Sequence, residues 1–85
     1  MSQMPHFFFD IHDDSGRSID NEGCDLPDMS AAKQWALECL GESILDGASR
    51  HLTGRFEVIV RSDTGLVLRV SASVEVGEDK NGLST

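Results

Sequence analysis

Cysteine occurs only twice in these 85 residues, at Cys24 and Cys39, and no CxxC pair is present. One intramolecular disulfide is the most that this allows, and two reduced thiols are the simpler expectation. No apolar stretch approaches the length of a membrane helix. The opening Met1-Ser2-Gln3-Met4-Pro5 has neither the basic patch nor the apolar core of a secretory leader. A cytoplasmic chain away from the membrane is therefore expected. Positive charge is also short: 7 Lys and Arg stand against 15 Asp and Glu, a net charge of −8. No run of Lys or Arg breaks that balance, which disfavours nucleic acid and anionic lipid as partners. Gly16 and Gly23 are not followed by Gly-Lys-Ser/Thr, so no phosphate-cradling loop is encoded. Internal repeats and low-complexity segments are absent too.

What remains is the composition of a small globule. The chain is 39% apolar, with four Phe and one Trp. Its length allows one domain over residues 1–85, with a core of about 5–76 and a flexible tail over 77–85. A core this thin is often completed by self-association or by a partner.

The clearest pattern runs from Arg55 to Ala72. Phe56, Val58 and Val60 alternate with polar residues, and Leu66, Leu68, Val70, Ala72, Val74 and Val76 repeat the choice. Asp63-Thr64-Gly65 reads as a three-residue hairpin loop with a bulge at the glycine. That register sets Val60 opposite Leu68, Val58 opposite Val70 and Ile59 beside Arg69; a one-residue slip would expose a whole row of valines. Earlier, His6 to His12 reads as a strand with Phe7, Phe9 and Ile11 facing the core, followed by a turn at Asp13-Asp14-Ser15-Gly16. Ile19 is positioned to anchor a short second strand in the polar segment Arg17 to Pro27. Asp28 is the expected N-cap of a helix, because Pro27 blocks an earlier start. Ala32, Trp35, Ala36, Cys39, Leu40, Ile44 and Ala48 form its apolar stripe. Gly41 weakens the middle of the helix by about 1 kcal/mol relative to Ala, a cost that close contact with the sheet would offset; Gly47 marks one possible end, and Gly54 is the firmer stop. The fold class is α+β: a single helix packed on a three- or four-stranded antiparallel or mixed sheet, in the order β-(β)-α-β-β.

Candidate chemistry concentrates at the end of the first strand. Asp10, His12, Asp13 and Asp14 carry oxygen and imidazole ligands suited to a divalent ion, with Asp20, Glu22 and Asp25 near in sequence. A solvated acidic turn is the alternative, and the spacing misses the EF-hand loop. His12 beside Asp10 or Asp14 also resembles a general base, but no serine nucleophile accompanies it. Asp63-Thr64-Gly65 matches the aspartic-protease triplet, yet its place in a hairpin makes it a turn. Trp35 is better placed for core packing than for stacking a ligand. On the sheet face away from the helix, Phe8, Ile59 and Val67 form a small apolar cluster suited to a protein partner or a dimer seam. No cofactor is implied.

Taken together, Pro5 to Asp14 (PHFFFDIHDD), Asp20 to Asp28 (DNEGCDLPD) and Ala31-Ala32 resemble a family of short uncharacterised proteins abundant in rhizobia and related bacteria. The likeness covers roughly residues 4–76, with Cys24 and Gly41 as departures from an expected aliphatic residue and helix former. It implies the fold and a bacterial setting, and brings no activity or cofactor. The functional expectation is a small non-enzymatic binding or regulatory module acting through protein–protein contacts, with an unidentified protein or itself as partner. The alternatives are a metal-dependent or acid–base enzyme built around His12, and a structural homodimer.

Overall fold

A computed structural model describes residues 4–78. β1 (His6–Asp13) obeys the predicted alternation: Phe7 and Phe9 are buried, and Ile11 packs against the same core. Asp13 turns the chain by accepting the Ser15 amide at 2.8 Å, together with the Ser15 hydroxyl. β2 (Gly16–Ser18) then returns along β1, pairing Asp13 with Gly16 and Ile11 with Ser18. After a loop over 19–23, β3 (Cys24–Asp25) rejoins the same edge opposite Phe7 and His6. The single optional strand of the sequence reading is thus two short pieces. Ile19 anchors neither; it lies exposed beyond the end of β2. The reason is Asp20, whose carboxylate takes the Phe9 amide proton at 3.1 Å where a strand carbonyl would otherwise do so.

The helix α1 (Met29–Ser49) begins on Asp28, whose carboxylate accepts the Ala31 amide at 2.9 Å, as expected. Its buried face is small: Ala32, Ala36, Leu40 and Gly47. Two alanines bring the helix axis close to a floor containing Phe7, Phe9 and Phe56. No room is left beneath it for an indole. Trp35, expected in the core, sits on the helix flank, 46% exposed, with its ring centroid 6.4 Å from that of Phe9. Ala48 is exposed as well. No close contact offsets Gly41; the close approach occurs at Gly47: among the described residues nothing lies within 4 Å of a Cβ at Gly41, whereas one at Gly47 would stand 2.8 Å from Phe56 Cζ. α1 continues past Gly47 and closes with the His51 amide on Ala48 O and the Leu52 amide on Gly47 O. His51 takes φ 57° to make that closure.

β4 (Gly54–Ser62) and β5 (Gly65–Val74) pair in the predicted register, Val58 with Val70, Ile59 with Arg69 and Val60 with Leu68. Their turn differs from expectation. Ser62 Oγ accepts the Thr64 amide at 3.2 Å and meets Thr64 Oγ1 at 2.9 Å, drawing the loop down to Asp63-Thr64 with Ser62 opposite Gly65. The extra residue therefore moves to Val67, where the register shifts. Beyond that shift Leu66 pairs with Arg61 and is 65% exposed, so it leaves the core row assigned to it. Val67 turns to pack against the core.

The sheet order is β2-β1-β4-β5, with β3 beside β2 on the outer edge of β1, and every pairing is antiparallel. Phe56, Val58 and Val60 of the inner strand β4 are fully buried under α1. This is an α+β fold with one helix on one face of an antiparallel sheet. The expected tail over 77–85 lies, from residue 79 onward, outside the described residues.

Candidate functional site

The helix covers one sheet face, so the chemistry of the other is set by the alternate residues of each strand. One row across the sheet reads Arg17, His12, Glu57 and Ser71 on β2, β1, β4 and β5. The next reads Asp10, Ile59 and Arg69, and the one after it Phe8, Arg61 and Leu66. Arg55 stands opposite Ser73 on the other side of the Glu57 row. Four of the chain's 7 Lys and Arg, Arg17, Arg55, Arg61 and Arg69, thus share one face.

At the Phe8 end this face is closed by the 19–25 segment. Asp10 is only 5% exposed and receives Arg61 Nε at 2.7 Å, Arg61 Nη2 at 3.0 Å and the Asp20 amide at 3.0 Å. The Arg61 hydrogen bonds, opposed by burial and helped by the Asp20 amide, hold its carboxyl below the ordinary value of 3.8. Arg61 also donates to Asp20 O at 2.9 Å and lies over the Phe8 ring, 4.8 Å from its centroid. Burial pushes the Asp20 carboxyl up, but the amides of Gly23, Phe9 and Glu22 outweigh it and lower it. Gly23 passes so close over β1 (φ 70°) that a Cβ would fall 2.5 Å from Phe7 O and 3.0 Å from Phe8 Cδ1. His6 completes the clamp, with Nδ1 2.6 Å from Asp25 Oδ1 and Nε2 2.7 Å from Glu22 O. Both ring nitrogens face acceptors, the Asp25 carboxylate first and the Glu22 carbonyl second, which raises its pKa above 6.5.

The other end stays open. Glu57 lies at its centre, with Oε2 3.4 Å from Arg55 Nη2 and 3.5 Å from Arg69 Nε, and Oε1 3.8 Å from His12 Nδ1. Arg55 also donates to Ser71 Oγ at 3.3 Å. The Arg55 and Arg69 side chains remain about three-fifths exposed, at 61% and 60%, so one glutamate leaves most of their donors free.

The four proposed metal or acid–base residues are only partly brought together. His12, Asp13 and Asp14 line a hollow of about 130 Å³ with Arg55 and Glu57, so a guanidinium shares the space a cation would enter. Asp10 is not among them; its carboxylate is occupied by Arg61 and Asp20. Asp13 is held low first by the Ser15 hydroxyl and amide, and Arg50 Nη2 stands 3.8 Å away. Among the described residues, no three His, Cys, Asp or Glu side chains converge to hold an ion. Of the proposed protein-binding cluster, Phe8 and Ile59 lie on the free face, but Phe8 is largely used under Arg61 and Gly23. Val67 belongs to the core side, for the bulge described above. Cys24 and Cys39 are free thiols, each pushed up in pKa chiefly by burial. Asp63 is part of the hairpin turn. The arginine gathering shows as no run of basic residues along the chain, because Arg55 and Arg61 sit six positions apart on β4 while Arg17 and Arg69 lie on β2 and β5.

One helix on one face of an antiparallel sheet, with an arginine-bearing free face, defines a small two-layer α+β domain. The chain belongs to the family described as Domain of unknown function (DUF6894), whose model matches residues 6–73, from the first residue of β1 nearly to the end of β5. No curated protein and no solved structure matches it. No helix among the described residues is long and apolar enough to cross a membrane.

Proposed function

We propose that this chain is a non-enzymatic protein-binding module whose recognition surface is the open part of the helix-free sheet face: Arg17, Arg55 and Arg69 around Glu57 and Ile59. The observation that carries the reading is charge segregation. A chain of net charge −8 places four of its 7 basic residues on a single sheet face and leaves three of them at the open end. Holding like charges together in this way has a cost that an acidic partner segment would relieve, with guanidinium forks pairing carboxylates. The net charge repels any polyanion at long range, and a short acidic segment with few carboxylates is repelled less than a nucleic acid with a charge on every phosphate. The resemblance to short rhizobial proteins and the free thiols support a bacterial cytoplasm as the setting. The acid–base reading has less to support it, because the Asp10 carboxylate is occupied by Arg61 and the Asp20 amide, and His12 stands beside Glu57 and Arg17.

Isothermal titration with a Glu-rich peptide, beside a Lys-rich control of equal length, tests the proposal. Saturable binding of the acidic peptide is expected, weakened at least about tenfold by Arg17→Glu with Arg55→Glu and by added salt. Equal binding of both peptides, or no effect of the double variant, contradicts it. The homodimer reading is favoured by a separate observation at the β5 edge.

A further inference from the structure

β5 has a paired side and a bare one. Its inner edge is hydrogen-bonded to β4, and it ends the sheet order β2-β1-β4-β5, so its outer edge meets no strand among the described residues. The strand is ten residues long, contains no proline and carries one charged side chain, Arg69. Natural edge strands are usually blunted by charges, prolines or bulges. Here one bulge, at Val67, disturbs the end near the turn, and everything from Leu68 onward is regular. On the helix side, Leu68, Val70, Ala72 and Val74 are only half-buried, because α1 covers the inner strands more fully. The apolar alternation also outlasts the sheet. β4 begins at Gly54, opposite Val74, yet Val76 continues the row and is 73% exposed.

We propose that the outer edge of β5 pairs with β5 of a second copy of this chain, antiparallel about a two-fold axis through Ala72. An axis perpendicular to the sheet keeps each residue on its own face, so the pairing sets residue i against residue 144 − i. Val70 then opposes Val74 of the second copy, Ser71 opposes Ser73, Leu68 opposes Val76, and Ala72 opposes itself. Every apolar residue of the row meets an apolar one. On the other face, Arg69 meets Glu75 of the second copy, twice by symmetry. Neighbouring face-preserving registers lack this complementarity: centring on Ser71 sets Arg69 against Ser73, and centring on Arg69 opposes two arginines. The register also keeps Val67 and Leu66 outside the new ladder. Residues 75 and 76, which have no strand partner among the described residues of one copy, gain one in the pair. Both helices fall on one side of the continuous sheet and both arginine faces on the other. The interface is isologous and closes at two copies.

The test is sedimentation equilibrium of the full chain, with Arg69→Glu, Glu75→Arg and the doubly reversed protein. The account expects a reversible species of twice 9.3 kDa. Each single reversal creates two like-charge contacts per dimer and should weaken it at least about tenfold, while the double reversal restores it to within about threefold. Arg69→Glu also approaches Glu57 within its own chain, so circular dichroism accompanies each variant. Glu75 has no charged partner among the described residues of the single copy, so Glu75→Arg decides the matter if Arg69→Glu unfolds. A monomer at all concentrations up to millimolar overturns self-pairing and leaves the edge to a strand from another protein. A dimer indifferent to Glu75→Arg overturns the register. Arg69 is shared with the proposed peptide surface, so peptide binding is judged separately through Arg17 and Arg55, which lie outside β5.

Discussion

Asp10 shows how one residue read as chemistry becomes architecture. Its carboxylate joins β1, the 19–23 loop and β4 through Asp20 and Arg61. Asp10→Asn should cost about 1–3 kcal/mol of stability in urea unfolding, because buried hydrogen bonds to a charged group are lost. Its folded pKa lies below 3.8, so its contribution is complete above pH 3.8 and disappears as pH falls through the depressed folded value. The difference between wild type and variant should shrink in that acid range. His6 behaves in the opposite sense. Its folded pKa is raised above 6.5, so the clamp on β3 is complete below pH 6.5 and is lost as pH rises through the folded value. In an NMR titration, Asp25→Asn should bring the His6 pKa back toward 6.5; an unchanged pKa would contradict the assigned cause. Neither partner was legible from local sequence, since Asp10 and Arg61 lie 51 positions apart.

The elements themselves were more legible than the contacts between them. Alternation over Phe56–Val60 and Leu68–Val74 fixed both the hairpin register and its buried face, because any slip exposes valines. Asp28 as N-cap followed from proline and carboxylate chemistry at a helix start. The misplacements have local causes. Trp35 fitted the helical period, but Ala32 and Ala36 bring the helix too near the sheet for it to enter. The bulge moved from Gly65 to Val67 because the Ser62 hydroxyl tightens the turn, and this shift sent Leu66 outward. α1 ends on His51 in the left-handed region, where a side chain costs about 1 kcal/mol. His51→Gly should therefore stabilise the protein by about 1 kcal/mol, read from the urea midpoint. A loss of stability would show that the imidazole has a role of its own.

At the scale of the whole molecule, the sheet separates two kinds of surface. The helix side carries the core and the acidic positions Glu38, Glu42 and Asp46, while the free face gathers Arg17, Arg55, Arg61 and Arg69. The fold class was readable from period and punctuation along the chain. The arginine face was not, because it exists only once four strands stand side by side. Its use as a recognition surface is the central claim. The most direct measurement is amide NMR of the labelled protein during titration with the Glu-rich peptide. The account predicts saturable shifts at Arg17, His12, Arg55, Glu57, Ile59 and Arg69, with the outer face of α1 unmoved. Shifts confined to α1 or the turns, or none at all, would contradict it.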